Sequence, residues 1–121
     1  MDFFLITTYF GHDNGLGYYR YHSAIDIAGL GCNSPIYAAN DGTVIASKYH
    51  TSLGNYVEID HNNGYKTLYA HMSKLYVKKG QGIEMGQVIG LMGDTGYSFG
   101  CHLHFQAKYN NQVFDPLTLY R

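Results

Sequence analysis

The sequence has few of the residues that mark membrane-spanning, nucleic-acid-binding or disulfide-rich proteins. Its 121 residues include no tryptophan, two prolines and two cysteines, and only 14% carry a charge, against about 25% in an average domain. The formal net charge of −1 gives no basic field that would favour nucleic acid or an anionic membrane. No apolar run approaches the roughly 20 residues of a transmembrane helix. We therefore expect one domain spanning residues 1–121, with no nucleic-acid partner and no membrane insertion.

We do not expect the first residues of the sequence to be a secretory signal peptide. The segment from Met1 to Ile6 has no basic residues before its apolar run, which ends at Thr7, whereas a signal peptide begins with a positively charged region. We therefore expect either a domain taken from a longer protein or a chain that leaves its cell by another route.

Glycine and tyrosine are abundant, with 15 and 13 copies. Short β-branched and aromatic runs, such as residues 56–60 and 65–71, alternate with clusters of turn-forming residues, and no helical periodicity lasts longer than a turn or two. This pattern predicts an all-β fold with little helix. Tyrosine, with a flat apolar ring and a hydroxyl tip, also suits a groove that binds extended peptides or glycans.

Turn residues predict several local features of this β domain. Asp41-Gly42 lies between two apolar runs, 36–39 and 43–46, and indicates a β-hairpin. A strand is expected to end at His71, followed by a helical turn or an irregular link over residues 72–76. The glycines within residues 88–93 indicate bends or a close approach of another backbone.

The segment from Gly100 to Gln106 contains the most informative histidines. On a strand, His102 and His104 share one face, while Leu103 and Phe105 point to the core behind it. Two imidazoles side by side on a rigid sheet are suited to binding a metal, or to providing one metal ligand and one base. Spacing alone does not say which histidine would have which role.

Three further residues offer the partners that such a site needs. His22 and Asp26 are four positions apart, and His71 lies on a separate predicted strand. Catalytic zinc usually has three protein ligands and one open position for water or substrate. His22, Asp26 and one histidine of the later pair would meet that requirement and leave two imidazoles for acid–base chemistry.

The motifs that contain these residues resemble the lysostaphin/LytM-type zinc peptidases of family M23. The similarity extends over about residues 5–117, in the order and near the spacing of the family. The matching segments are 22–28, 34–44, 68–73, 86–90, 93–98 and 102–105. The resemblance implies mainly antiparallel sheets with long loops that form a groove. It also implies one Zn²⁺ ion bound by His22, Asp26 and His104, with His71 and His102 as unliganded catalytic histidines.

The resemblance implies a zinc-dependent metalloendopeptidase that cleaves peptide bonds in bacterial peptidoglycan through a metal-activated water. Members that act only as regulators have typically lost metal ligands, and this chain keeps every one, so we expect an active enzyme. The alternative is a non-catalytic peptidoglycan-binding or activator module of the same fold. A carbohydrate-binding β domain built on tyrosines would not explain the five-residue set. Stem peptides and glycine cross-bridges are both substrates in this family, so the bond cleaved stays open.

Four other residues receive roles from this comparison. Asn55 and Tyr97 resemble family positions near the groove and are candidate substrate-binding residues. Cys32 and Cys101 are too far apart in sequence for a CxxC motif, but they would approach each other if zinc joins the segments beside them. We therefore expect a disulfide near the site, which is consistent with a protein that acts outside the reducing cytosol. The alternative is that the cysteines bind zinc, which we rank lower because the ligand set is already complete.

The family and the expected absence of a signal peptide together suggest where the protein works. The chain is expected to act outside the cell or facing the cell wall, on peptidoglycan peptides. Its source would be a secreted autolysin, a bacteriocin or a phage tail lysin. This expected absence slightly favours the last of these, a virion-associated chain attached to a phage tail component.

Overall fold

The computed structural model describes residues 5–8, 25–28, 32–96 and 100–116. These residues form ten β-strands and no α-helix, which confirms the all-β prediction. No helix that is long and apolar enough to cross a membrane occurs in these four ranges. The strands are β1 Leu5–Thr8, β2 Ile25–Ala28, β3 Pro35–Tyr37, β4 Gly42–His50, β5 Gly54–Asp60, β6 Tyr65–Leu75, β7 Gly82–Ile83, β8 Val88–Met92, β9 Leu103–Tyr109 and β10 Gln112–Phe114.

All of the strand pairings in the described ranges are antiparallel, as the family resemblance implied. The main path through the sheet is β1-β2-β9-β6-β5-β4-β7, and β10 pairs with β9 beside it. The last part of β6 leaves this path and pairs with β8, which in turn pairs with β3. The strands β6 and β9, which contain His71 and His104, therefore lie near the centre of the sheet.

One face of the central strands forms the core. Phe105 on β9 lies opposite Tyr69 on β6, and Tyr69 lies opposite Val57 on β5. All three side chains are buried, and the Tyr69 and Phe105 ring centroids are 5.3 Å apart. Burial of each large apolar side chain contributes about 1.5–3 kcal/mol. The residues next to these three along each strand, including His104 beside Phe105, consequently face the other side of the sheet.

The buried hydroxyl of Tyr69 is satisfied by a chain of hydrogen bonds. It accepts from the Ala39 backbone N–H at 3.0 Å and lies 2.7 Å from Thr67 Oγ1. Thr67 Oγ1 is 2.8 Å from His61 Nε2, and His61 Nδ1 donates to the Asp41 carbonyl oxygen at 2.7 Å. These hydrogen bonds connect the turn before β4 to the centre of β6 through His61.

The predicted hairpin at Asp41-Gly42 is wrong. β4 pairs with β5 and β7, whereas β3 pairs with β8, so the two apolar runs do not pair with each other. The glycine has a packing reason instead, because a Cβ atom on Gly42 would lie 2.5 Å from the Asp60 carbonyl oxygen. The turn carries the chain from one set of strand neighbours to another.

The predicted break after His71 is also wrong. β6 continues to Leu75, because its last part pairs with β8. Met72 and Leu75 on β6 lie opposite Met92 and Gly90 on β8. The predicted close approach at the glycines of β8 is confirmed. A Cβ atom on Gly90 would collide with the Lys74 carbonyl oxygen and with the Met72 side chain.

Candidate metal and catalytic site

Three neighbouring strands bring the candidate site together. Asp26 on β2 lies directly opposite His104 on β9, and His104 lies directly opposite Ala70 on β6. Residues directly opposite each other share a face of the sheet. Asp26, His104 and Ala70 therefore form one row on the face away from the core residues Phe105 and Tyr69.

His71 reaches the same face through a β-bulge. The β5–β6 register shifts at this point, so Ala70 and His71 together oppose the single residue Tyr56. Regular alternation would place His71 on the core side with Tyr69, but the extra residue leaves both Tyr69 and Met72 in the core. His71 has a left-handed backbone with a φ of 61°, which costs a non-glycine residue about 1–2 kcal/mol.

Thr95 and Leu53 hold His71 in this conformation. The His71 backbone N–H donates to the Leu53 carbonyl oxygen at 2.7 Å, and its ring Nδ1 donates to the Thr95 carbonyl oxygen, also at 2.7 Å. The Thr95 hydroxyl donates to the Met72 carbonyl oxygen at 2.6 Å and accepts from the Asn55 N–H at 3.1 Å. One threonine thus ties the bulge in β6 to the start of β5.

Two glycines let these segments approach each other. Gly54 and Gly96 both have positive φ angles, 68° and 74°. A Cβ atom on Gly54 would collide with the backbone of Thr95, and one on Gly96 would collide with Gly54. A substitution at either glycine would move Thr95 away from His71. The motif at residues 93–98 contained Gly96 but gave no reason for it, and no motif contained Gly54.

His102 is held at the entrance of β9. Its backbone N–H donates to the Gly93 carbonyl oxygen at 3.1 Å, and its ring Nδ1 donates to the Gly100 carbonyl oxygen at 2.8 Å. A carbonyl oxygen can only accept, so the hydrogen-bond partner assigns the proton of this ring to Nδ1. The same argument applies to His71 and Thr95. Each neutral ring therefore has its lone pair on Nε2.

Three of the imidazoles in the described residues, those of His71, His102 and His104, lie together. The ring centroid of His71 is 4.9 Å from that of His102 and 5.7 Å from that of His104. His71 is buried, while His102 and His104 are partly exposed. The predicted set from β6 and β9 is thus brought to one place on one face of the sheet.

Among the three predicted zinc ligands, the structure describes the side chain of His104 alone. His22 lies outside the described residues, as does Tyr97, and Asp26 is described in its backbone but not in its side chain. Within the described ranges, no group of three or more His, Cys, Asp or Glu side chains could hold a metal ion. The remaining residues nevertheless fit a zinc site, because the backbone register places Asp26 directly opposite His104. Imidazole and carboxylate are also donor types that Zn²⁺ binds.

Asn55, the other candidate for substrate binding, has a structural contact. Its side-chain amide donates to the Met72 carbonyl oxygen at 3.1 Å, so it supports the same bulge as Thr95. A contact between Asn55 and a substrate stays a prediction.

Cys32 and Cys101 form a disulfide in the structure, with their Cα atoms 5.3 Å apart, inside the usual range of roughly 4.4–6.8 Å. Cys101 is adjacent to His102 in sequence. On the other side, the Asn33 N–H donates to the Met92 carbonyl oxygen at 2.8 Å, which attaches the segment after Cys32 to β8. The bond therefore fastens the entrance of β9 to the neighbouring part of the sheet.

Comparisons with known proteins identify the family to which the chain is similar. The family model described as Peptidase family M23 matches residues 20–116. Peptidoglycan DD-endopeptidase ShyB of Vibrio cholerae is 43% identical over 96 residues, which are 79% of this chain and 22% of that protein.

Solved structures give the same answer for the fold. A zinc-containing peptidase from Vibrio cholerae superimposes with a TM-score of 0.82 at 39% identity, covering 92% of this chain and 35% of that one. The catalytic domain of the antimicrobial peptidase lysostaphin from Staphylococcus simulans gives a TM-score of 0.80 at 30% identity, covering 93% and 87% of the two chains. The chain spans only about a quarter or less of the length of the curated relatives that it matches.

Proposed function

The chain belongs to peptidase family M23, and from this we propose that it is a zinc-dependent endopeptidase that hydrolyses peptide bonds in bacterial peptidoglycan. The observation that carries the proposal is the convergence of His71, His102 and His104 on the sheet face where Asp26 lies directly opposite His104. The peptidoglycan substrate is supported by relatives such as peptidoglycan DD-endopeptidase ShyB.

The metal would be held by His22, Asp26 and His104. When bound, Zn²⁺ polarises a carbonyl group and lowers the pKa of bound water toward about 7. The two histidines that are not ligands, His71 and His102, then supply the remaining proton chemistry.

His102 is suited to accept the proton of the attacking water. Its Nδ1–H is engaged by the Gly100 carbonyl oxygen, so the neutral ring has its lone pair on Nε2. A base of this kind typically contributes 10²–10⁴-fold to the rate. The same nitrogen, once protonated, returns the proton to the leaving amine, and the ring is restored without a covalent enzyme intermediate.

His71 is suited to donate to the oxyanion that develops on the peptide carbonyl. Because Nδ1–H already donates to the Thr95 carbonyl oxygen, a donor at Nε2 requires the doubly protonated ring. That carbonyl also stabilises the positive charge of the imidazolium. The loss of such an oriented donor typically costs 10²–10³-fold in kcat.

The proposal is tested with purified cell walls and three proteins, the wild type, His71→Ala and His102→Ala, each checked for bound zinc. We expect the wild type to release peptide fragments and both variants to be at least 100-fold slower. Near-wild-type turnover by a zinc-loaded variant removes that histidine from the mechanism. Wall binding without release of fragments by the zinc-loaded wild type would instead favour the non-catalytic module.

Mass spectrometry of the released fragments identifies the bond that is cleaved. Walls with direct stem-peptide cross-links and walls with glycine bridges should be compared, because the two give fragments with different new amino termini. We propose that the protein acts outside the cell or facing the cell wall. Attachment to a phage tail component stays a prediction.

A further inference from the structure

A second row of side chains lies beside the histidine row on the same face of the sheet. Gln106 on β9, Leu68 on β6, Glu58 on β5 and Ala46 on β4 are directly opposite one another in turn. Gln106 and Leu68 are two positions along their strands from the row that contains His104, a distance of about 7 Å. Leu68 is buried, whereas Glu58 and Gln106 on either side of it are partly exposed. A peptide that extends from the histidines along this face would therefore meet this row at Glu58 or Gln106.

Glu58 is the one formal charge in this second row. Its neighbours in sequence, Val57 and Ile59, are both fully buried in the core, so Glu58 faces the side where the histidines lie. Its side chain is partly buried, and the residues directly opposite on both neighbouring strands, Leu68 and Ala46, are apolar. Glutamate is disfavoured in strands, and these neighbours offer it no compensation.

The carboxylate of Glu58 has no partner within the part of the chain that the structure describes. Two lysines occupy diagonal positions on the adjacent strands, Lys48 beside Ala46 and Lys66 beside Leu68. Lys66 donates instead to Asn111 Oδ1 at 3.2 Å, and Lys48 makes no ion pair with Glu58. Folding therefore leaves the Glu58 carboxylate on the same face as the histidines without a direct ion pair or hydrogen bond, although two lysines lie at diagonal positions.

We propose that Glu58 forms a subsite for a primary ammonium group of the substrate, the side-chain amine of a diamino acid in the stem peptide. The proposal rests on the peptidoglycan function given above. Glu58 lies two strands and two positions from His104, or about 12 Å between Cα atoms. An extended peptide advances roughly 3.3–3.6 Å per residue, so the diamino acid would be within about three residues of the scissile bond.

The test uses two matched cross-linked stem peptides, one with a free side-chain amine on the diamino acid next to the scissile residue and one with that amine acetylated. The proteins are the wild type, Glu58→Gln and, as a control for removal of one negative charge elsewhere, Glu84→Gln. Glu84 is exposed in the turn between β7 and β8. Glutamine keeps the shape of the side chain and removes its charge.

For the free-amine peptide we expect Glu58→Gln to raise KM about tenfold, the effect of a charge-assisted hydrogen bond that is lost, with kcat little changed. The acetylated peptide should bind the wild type and Glu58→Gln equally, and Glu84→Gln should match the wild type on both. Equal KM values of the wild type for the two peptides, or an equal loss on both in Glu58→Gln, would overturn the subsite.

Binding of the same two peptides to the metal-free proteins, measured by calorimetry, separates this inference from the proposed function. If the wild type cleaves neither peptide but binds the free amine more tightly in a manner that Glu58→Gln abolishes, the endopeptidase proposal fails and the subsite stands. If cleavage occurs with no such difference in Kd or KM, the subsite fails and the endopeptidase proposal stands.

Discussion

The ring Nδ1 of His71 donates to the backbone carbonyl oxygen of Thr95, 24 residues further along the chain, at 2.7 Å. This contact fixes both the orientation of the imidazole and the nitrogen that has its proton. The Thr95 side-chain hydroxyl also donates to the backbone carbonyl of Met72, the residue after His71, and accepts from the backbone N–H of Asn55 on β5. The position of His71 therefore depends on a hydroxyl that does not itself belong to the site.

Thr95→Val should separate the effect of this hydroxyl from that of the carbonyl. Valine keeps the shape of the side chain but leaves the Asn55 N–H without its partner and removes one of the two donors to the Met72 carbonyl, which keeps the Asn55 side-chain amide. We expect the free energy of unfolding to fall by about 1–3 kcal/mol, and kcat to fall well below the wild-type value at temperatures where the variant is fully folded. Denaturant unfolding and wall-cleavage kinetics measure the two effects.

Thr95→Ser is the matched control for that variant, because serine restores the hydroxyl. We expect it to recover most of the lost kcat. A Thr95→Val protein that is less stable but has an unchanged kcat would mean that the threonine supports the fold alone and does not position His71.

The left-handed backbone of His71 predicts an unusual order of stability. Glycine adopts a φ of 61° without the steric cost that a Cβ atom imposes. His71→Gly should consequently be more stable than His71→Ala by about 1 kcal/mol, although glycine is normally the worse residue in a strand. Thermal or denaturant unfolding of the two proteins, both expected to be inactive, makes the comparison. If alanine gives the more stable protein, the bulge is not present in solution.

The alternation of apolar and polar residues predicted the part of the site that lies on β9. Phe105 is buried and His104 faces the other side of the sheet, as the pattern requires. The position of His71 could not be predicted in this way, because simple alternation places it on the same face as Tyr69. Its actual position depends on a bulge held by Leu53 and Thr95, and contacts between such distant residues leave no periodic signal.

The error at Asp41-Gly42 has a similar cause. A two-residue turn signal between apolar runs predicts that those runs pair, but here each run pairs with a different distant strand. Gly42 is instead required by its contact with the Asp60 carbonyl oxygen. Local sequence indicated the turn correctly but had no information about which strands would become neighbours.

The disulfide between Cys32 and Cys101 should be present and should stabilise the protein. The two residues are 69 positions apart, and closing a loop of this size in the unfolded chain contributes on the order of 4 kcal/mol in the chain-entropy model. The double variant Cys32→Ser/Cys101→Ser should lose about 2–4 kcal/mol of unfolding free energy, while reductant should leave that variant unaffected. Thiol titration in denaturant without reductant should find no free thiols in the wild type. Two thiols per chain would show that the cysteines are not paired in solution.

Removal of metal should abolish activity, and the three proposed ligands should differ from the two catalytic histidines in zinc content. We expect a chelator to stop wall cleavage and added Zn²⁺ to restore it. Elemental analysis of the variants His22→Ala, Asp26→Ala and His104→Ala should find far less than one zinc per chain, since each removes one of three protein ligands. His102→Ala should retain its zinc. Because His102 and His104 belong to one short segment, His102→Ala also shows whether a substitution in this segment causes loss of zinc merely by damaging β9. Stoichiometric zinc in His104→Ala, or its loss in His102→Ala, would exchange the roles assigned to these two residues.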